Sequence, residues 1–442
     1  MASAGALLNT YFSFQGTGPH GLLDISGIPR ATYYAFRHLR FFKGESLEVK
    51  SDGSDLWLHA ARDGQNLQVF AINPTLEALP LSLELPGYEA VGAKGFTDAV
   101  VKDEAPDLRF KLTENLTVPA RGFVRIAFKR KAETLRALGA ARGVRMGAAV
   151  TPLFYDPTEP EYGQVLAREY DLLVAENVMK WGALHPEPNQ YNWNAAEAIL
   201  SFAQKNNQVV RGHTLVWHEQ LPRWVYNLET KEAMTAALRD HVQTVARHFA
   251  GRVVAWDVVN EAINEDGSLR STPFTKLLGR EYIAQVFRWA READPNAKLY
   301  YNDFNTEGLN AKSDAVYELV KSLLADGVPI DGVGFQTHVG ADFNVNAVRM
   351  RENLERFRAL GLDVQLTEVD VQTGGSAPEK WQRQAKVYGD LMRTCLAVQC
   401  SAFITWGFTD AYSWRAGSSP LPFDTNYQPK LAFQALLEAL RP

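Results

Sequence analysis

Cysteine is nearly absent from this chain of 442 residues: only Cys395 and Cys400 occur. That excludes a disulfide-built scaffold and a four-cysteine zinc site, and leaves the two thiols either paired with each other or reduced. No run of about 20 apolar residues occurs, so no segment reads as a membrane-spanning helix. The opening residues, MASAGALLNTYF, have neither the cationic start nor the long apolar stretch of an export signal. Positive charge is not in excess either: 46 Lys and Arg face 51 Asp and Glu, a formal net charge of −5. Binding to nucleic acid through counterion release is therefore not expected, and a neutral partner fits better. Low-complexity tracts and long single-sign charge runs are also missing. With 46% hydrophobic and 22% charged residues, the composition is that of a folded globular protein.

At roughly 150 residues per domain, the length calls for two or three units unless a barrel takes the larger share. From about Ser46 to Lys129, short alternating segments such as LWLHAA, LQVFAIN, LSLELPG and FVRIAF are separated by the turn-rich pieces RDGQ and NPTLEALP. This pattern predicts a small β-sandwich. Before it, Pro29 in SGIPR suits a helix start, and Tyr33, Phe36 and Leu39 recur three apart. A helix is expected over TYYAFRHLRFF, packed against the sandwich.

From about Ala132 the rhythm changes. The apolar runs VRMGAAV, LLVA, VVRGHTLV, VVAWDVV, KLYY, GVGF, VQLT and AFITWGF, eight in all, alternate with amphipathic helical stretches. Runs that continuous belong to strands buried on both faces, as in a parallel sheet covered by helices. Eight such units predict an α/β fold, a (β/α)8 TIM barrel over residues 132–442, preceded by an all-β accessory domain over residues 1–131. A doubly wound open sheet is the rival architecture.

Catalytic groups of a barrel sit where its strands reach their C-terminal ends, so the polar residues that close each apolar run carry the information. The second run ends in Glu176 and Asn177, followed by Lys180; the third in His213, with Trp217 and His218; the fourth in Asn260 and Glu261. Later runs end in Asn302 and Asp303, in Gln336 with His338, in Glu368 with Asp370, and in Trp406 with Asp410. A single strand-end glutamate has an ordinary reading as a buried ion-pair partner. Two of them, on strands four and seven, face each other across a barrel, and their carboxyls can approach the separation of about 5 to 5.5 Å that retaining glycosidases use. One would protonate the leaving oxygen while the other attacks the sugar.

Aromatic usage points the same way. Nine of the ten tryptophans follow residue 132, and Trp217, Trp406 and Trp414 fall in strand-end or rim segments where a ring face can stack on a pyranose. Trp181, Trp193, Trp256 and Trp289 fall within packed elements and are expected in the core. His213 and His218 are five apart, without the HExxH spacing of a catalytic zinc site, so no metal and no cofactor is expected.

Over residues 133 to 442 the chain resembles glycoside hydrolase family 10, whose members are mostly endo-β-1,4-xylanases with a (β/α)8 fold. The resemblance rests on AENVMKW (Ala175 to Trp181), RGHTLVWHEQLPRW (Arg211 to Trp224), AWDVVNEA (Ala255 to Ala262), LYYNDFN (Leu299 to Asn305), GVGFQTHV (Gly332 to Val339), LTEVDV (Leu366 to Val371) and ITWGFTDAYSWR (Ile404 to Arg415). It implies that Glu261 is the general acid/base, Glu368 the nucleophile, and Asn260 a ligand of the sugar 2-hydroxyl. It further assigns Glu176, Asn177, Lys180, His213, Trp217, Gln220, Gln336, Trp406 and Trp414 to the glycone subsites. His338 would orient the nucleophile. The implied partners are xylan and xylo-oligosaccharides, with retention of configuration through a covalent intermediate. The CLAVQC segment resembles a cysteine pair that some secreted relatives bridge, and so implies a secreted or periplasmic destination.

Three departures from the family pattern stand out. Phe304 replaces a tyrosine, which keeps an aglycone stacking platform and removes its hydroxyl. Glu219 stands where small polar residues are commoner. The stretch VGADFNVNAVRM after His338 is short, implying a reduced loop. Upstream, GLLDISGIPRATYYAFRHL resembles the last βα turn of a different barrel glycosidase, and the strands after it resemble the β-sandwich that follows such barrels. That region is expected to be a structural appendage packed on the barrel, with an independent carbohydrate-binding role as the alternative. The alternatives are a β-1,4-glucanase or mixed-linkage glucanase on the same frame, because specificity for xylose resides in pocket shape, and a non-catalytic xylan-binding protein.

Overall fold

A computed structural model of the chain describes residues 43–49, 55–83, 85, 87–97, 108–109, 116–130, 133–373, 379–415 and 417–442. The helix expected over TYYAFRHLRFF lies outside the described residues. Internal contacts divide the chain into two compact units, Met1–Ala132 and Glu133–Pro442.

The first unit contains β1 (Glu45–Leu47), β2 (Trp57–Asp63), β3 (Asn66–Asn73), β4 (Leu79–Leu81), β5 (Tyr88–Thr97), β6 (Leu108–Arg109), β7 (Leu116–Val118) and β8 (Gly122–Arg130). Six of these form an antiparallel sheet in the order β1-β2-β3-β8-β5-β6, while β4 pairs with β7. Asp63 and Asn66 face each other across a tight turn in which Gly64 adopts φ 58, the left-handed conformation that such hairpins need. Strand side chains alternate between faces, and Leu67, Val69 and Ala71 of β3 are buried with Val124 and Ile126 of β8. Leu81 of β4 and Val118 of β7 belong to the same cluster, so the broad antiparallel sheet shares its core with the two-stranded one.

In the second unit, β9 (Arg145–Val150), β10 (Leu172–Ala175), β11 (Val209–Gly212), β12 (Val253–Asn260), β13 (Lys298–Asp303), β14 (Gly332–Phe335), β16 (Asp363–Gln372) and β17 (Ala402–Thr405) pair in parallel in that order. The ring closes where Phe403 and Ile404 of β17 align with Met146 and Gly147 of β9. Each closed barrel strand is one of the eight apolar runs. A short extra strand, β15 (His338–Gly340), lies parallel to the far end of β16, with His338 opposite Asp370.

Burial explains why these runs read as continuous: every residue of β10, β14 and β17 is buried, one face against helices and the other inside the barrel. Alternation sets Leu172, Val174, Ala402, Ile404 and Trp406 in one small cluster, apart from the large core that gathers Leu173, Ala175 and Phe403. Trp256 is wholly buried, and it forces the residue at the end of β11 to be Gly212, since a Cβ there would collide with the indole. Trp181 is also buried in this core, while Trp193 and Trp289 pack against it, as expected of structural tryptophans.

A charged layer sits among the strands. Arg211 donates to both oxygens of Asp257, at 2.5 and 3.2 Å, and to Gln365 Oε1 at 2.6 Å. Its guanidinium lies over the Tyr300 ring, 4.3 Å from the centroid. Arg211 and Asp257 are 1% and 2% exposed at their side chains, so each requires the other.

Candidate active site

A cavity of about 630 Å³ opens at the C-terminal ends of the parallel strands. Glu261, which directly follows β12, and Glu368, within β16, both line it. Register irregularities break the ladder between Asp257 and Val259 on β12 and between Leu366 and Val369 on β16. Such bulges re-aim side chains at strand ends, here next to both carboxylates. Glu261 itself adopts φ 59, uncommon for a residue with a Cβ. Its N–H donates to Asn302 O at 2.9 Å, and its own carbonyl accepts from Arg270 Nε at 2.8 Å, which fixes that conformation from two sides.

Glu368 is held from two directions. Asn302 Nδ2 donates to Oε1 at 2.7 Å, and His338 Nε2 meets Oε2 at 3.1 Å. The other ring nitrogen of His338 lies 2.8 Å from Asp370 Oδ2. Both neighbours accept, so the ring serves both only as a doubly protonated imidazolium. Burial works against that charge, but the hydrogen bonds to Asp370 and Glu368 prevail and raise the imidazole to about 9. Burial likewise pushes Glu368 upward, yet the His338 hydrogen bond and the charges of His213 and His338 hold its carboxyl below the usual glutamate value. Asp370 is fixed in turn by Trp414 Nε1 at 2.9 Å and by Arg415 at 3.4 Å.

Glu261 sits in a different environment. Trp217 Nε1 donates to Oε2 at 2.8 Å, while Gln336 and Asn260 donate their amides to Oε1 at 2.9 and 3.1 Å. Asn260 Oδ1 accepts from Asn302 at 2.9 Å, so one chain of amides runs from the Glu261 carboxylate to that of Glu368. All of Glu261's side-chain donors are neutral, whereas Glu368 faces a cation.

The other residues assigned to sugar subsites in the sequence line the same cavity, whereas Asn302, Asp303, Asp370 and Asp410, also at strand ends, are not among its lining residues. Glu176, Asn177 and Lys180 follow β10; Lys180 Nζ donates to Asn177 Oδ1 at 3.0 Å and lies 4.7 Å from the Trp217 ring centre. Burial raises the Glu176 carboxyl and lowers the Lys180 amine, while the attraction between the two opposes both shifts. Gln220 adopts φ 50 and its amide points to Asn177 Oδ1 at 3.4 Å. His213 turns Nδ1 to Asp257 Oδ2 at 3.0 Å, which ties it to the charged layer below, and Trp406 meets its ring edge to face. Trp406 is 7% exposed, whereas Trp414 is 54% exposed and offers a ring face at the rim. Phe304 follows β13 and also lines the cavity. Arg270, Asn305 and Arg415 line it too, although no apolar run ends at them.

His218 and Glu219 approach to 3.7 Å, but among the described residues no three His, Cys, Asp or Glu side chains converge as metal ligands would. Cys395 and Cys400, whose pairing the sequence leaves open, stand as two buried free thiols. What the cavity holds instead is one buried carboxylate kept ionised by a cation and a second served by neutral donors, the two unlike carboxyls that glycoside hydrolysis requires.

Comparison with known proteins agrees with this chemistry. Residues 134–439 match the glycosyl hydrolase family 10 profile. Endo-1,4-beta-xylanase B of Thermotoga neapolitana is 44% identical over 319 residues, covering 69% of this chain and 91% of that protein. Xylanase 10B of Thermotoga petrophila, solved with xylobiose, superposes with a TM-score of 0.68 at 42% identity, over 70% of this chain and 98% of its own. Native xylanase 10B of Thermotoga maritima gives 0.67 at 43% identity, over the same shares of 70% and 98%. The closed barrel, the paired glutamates at its rim and the profile match together place this chain in glycosyl hydrolase family 10, as a glycoside hydrolase.

Proposed function

We propose that this enzyme is an endo-1,4-β-xylanase that cleaves internal bonds of xylan and xylo-oligosaccharides with retention, Glu368 acting as nucleophile and Glu261 as general acid and then base. The observation that carries this reading is the unlike surroundings of the two carboxylates. Glu368, facing the His338 imidazolium, stays ionised and is poised to attack the anomeric carbon. Glu261, with neutral donors, delivers a proton to the departing oxygen, and in the second step takes one from the water that hydrolyses the glycosyl ester. Asn260, between the carboxylates, is placed to meet the sugar 2-hydroxyl, where transition-state hydrogen bonds strengthen. Lys180, Asn177, Gln220 and His213 supply polar contacts to the glycone, while Trp217, Trp406 and Trp414 supply apolar walls. Support for xylan as substrate comes from the names of the relatives and from the xylobiose bound in the Thermotoga petrophila structure.

The test is proton NMR of xylohexaose hydrolysis at early times, with parallel assays on xylan and carboxymethyl-cellulose. A β-anomer as first product and faster turnover of xylan are expected. First appearance of the α-anomer would refute retention, and faster turnover of carboxymethyl-cellulose would move the enzyme to the glucanase reading.

A further inference from the structure

Phe304 has no hydroxyl, so no hydrogen bond at its edge can fix the plane of its ring. Beneath it lies Lys312, whose side chain is 1% exposed and whose Nζ is 3.3 Å from the ring centroid. The ammonium is anchored at 3.0 Å to Asp303 Oδ1 and at 3.0 Å to Glu265 Oε1. Lys312 occupies the first turn of helix Ala311–Ala325, which begins in a capping box between Asn310 and Ser313. Asn310 also donates to Asn305 O at 2.9 Å, and Asn305 reaches Glu265 at 3.3 Å. The loop that carries Phe304 is thus stapled to the helix that carries the cation, and Phe304 N–H itself bonds Asp303 Oδ1 at 2.9 Å.

We infer that Lys312 is a positioning residue for aglycone binding: through an ion–ring contact it sets the plane of Phe304, and so the affinity for sugars on the leaving-group side of the cleavage point. This rests on the reading of Phe304 as the aglycone platform. A cation against a desolvated aromatic face is among the stronger non-covalent contacts to a ring, and Lys312, being buried, acts on the ring's protein side and touches no substrate.

Two features separate this role from chemistry. Tyr301 donates to Asp303 Oδ2 at 2.5 Å and accepts from Ala262 N–H at 3.1 Å, so the backbone beside Glu261 is anchored by Tyr301 through the Asp303 oxygen that Lys312 does not hold. Burial already lifts the Asp303 carboxyl to about 7, against the pull of Lys312 and Tyr301, so removal of the ammonium leaves a carboxyl that takes up a proton. Lys312→Met is therefore expected to fold.

The experiment compares kcat/KM on xylohexaose with kcat/KM on β-xylobiosyl fluoride, which has no aglycone sugar or ring, for wild type, Lys312→Met, Phe304→Leu and the double variant. Lys312→Met is expected to lower the xylohexaose-to-fluoride ratio about tenfold, through KM, while the rate on the fluoride stays within about twofold. Phe304→Leu is expected to lower the same ratio, and adding Lys312→Met to it is expected to change the ratio no further. An unchanged ratio in Lys312→Met, with both substrates losing rate in proportion to the folded fraction, means a merely structural lysine and overturns the inference. An equal effect of Lys312→Met with and without Phe304 overturns it as well, because the lysine would then act by another route. If Phe304→Leu leaves the ratio unchanged, the aglycone reading of Phe304 fails first.

Discussion

Asn302 Nδ2 donates to Glu368 Oε1 at 2.7 Å, and the same amide nitrogen lies 2.9 Å from Asn260 Oδ1. Thr367 in turn donates to Asn302 Oδ1 at 2.7 Å, which fixes which end of the amide faces the carboxylate. Asn302→Asp replaces a donor with a second carboxylate beside Glu368. A loss of about 100-fold or more in kcat on xylohexaose is expected, since removal of one such aimed donor already costs that much. Like-charge repulsion should also move the acid limb of the pH–rate profile upward. A variant with unchanged kcat would show that the amide does not hold Glu368 in its working position.

The His338–Glu368 contact makes a pH prediction with two signs. Glu368 is held below its ordinary value, so its contribution to stability is complete above the unfolded value of about 4.3 and is lost as pH falls through the folded value. His338 is raised to about 9, so its contribution is complete below the unfolded value of about 6.5 and is lost as pH rises through about 9. Melting temperature should therefore fall between about pH 7 and 10. His338→Gln should flatten that alkaline fall and shift the acid limb of kcat/KM upward, because Glu368 loses its cationic donor. Melting curves and rates across pH for both proteins check this, and parallel profiles would contradict it.

Gly334 on β14 has no room for a methyl group. A Cβ there would strike Asn302 Oδ1 and come within 2.7 Å of Thr367 Cγ2. Gly334→Ala should destabilise by about 1–3 kcal/mol from overpacking. It should lower kcat more than the lost folded fraction explains, because the displaced amide is the one that holds Glu368. Rates scaled to the folded fraction by a melting curve decide the matter.

Arg211 and Asp257 are buried partners. Arg211→Met removes the guanidinium from the buried Asp257 carboxylate, leaving it the His213 contact, and should cost about 3–5 kcal/mol in denaturant unfolding. Asp257 also orients His213, so KM should rise in whatever fraction stays folded. Unfolding free energy within about 0.5 kcal/mol of wild type would mean that water or another group serves Asp257.

The barrel was legible because a strand buried on both faces must be apolar at every position, and β10, β14 and β17 are buried throughout. Glu261 and Glu368 were legible because each interrupts such a run at its C-terminal end. Arg270 and Arg415 were not: they reach the cavity from loops, where no periodicity marks a side chain's direction. Lys312 was hidden for the opposite reason, since a lysine in the first turn of a helix reads as solvated surface, and only the fold brings Asp303, Glu265 and Phe304 around it.

The assignment of the two carboxylates is tested most directly by azide rescue of the alanine variants on an activated aryl β-xylobioside. With Glu261→Ala, azide should attack the glycosyl-Glu368 intermediate, restore turnover and yield the β-xylobiosyl azide. With Glu368→Ala, it should attack in place of the missing nucleophile and yield the α-azide. If Glu261→Ala gave the α-azide and Glu368→Ala the β-azide, the two roles would be reversed.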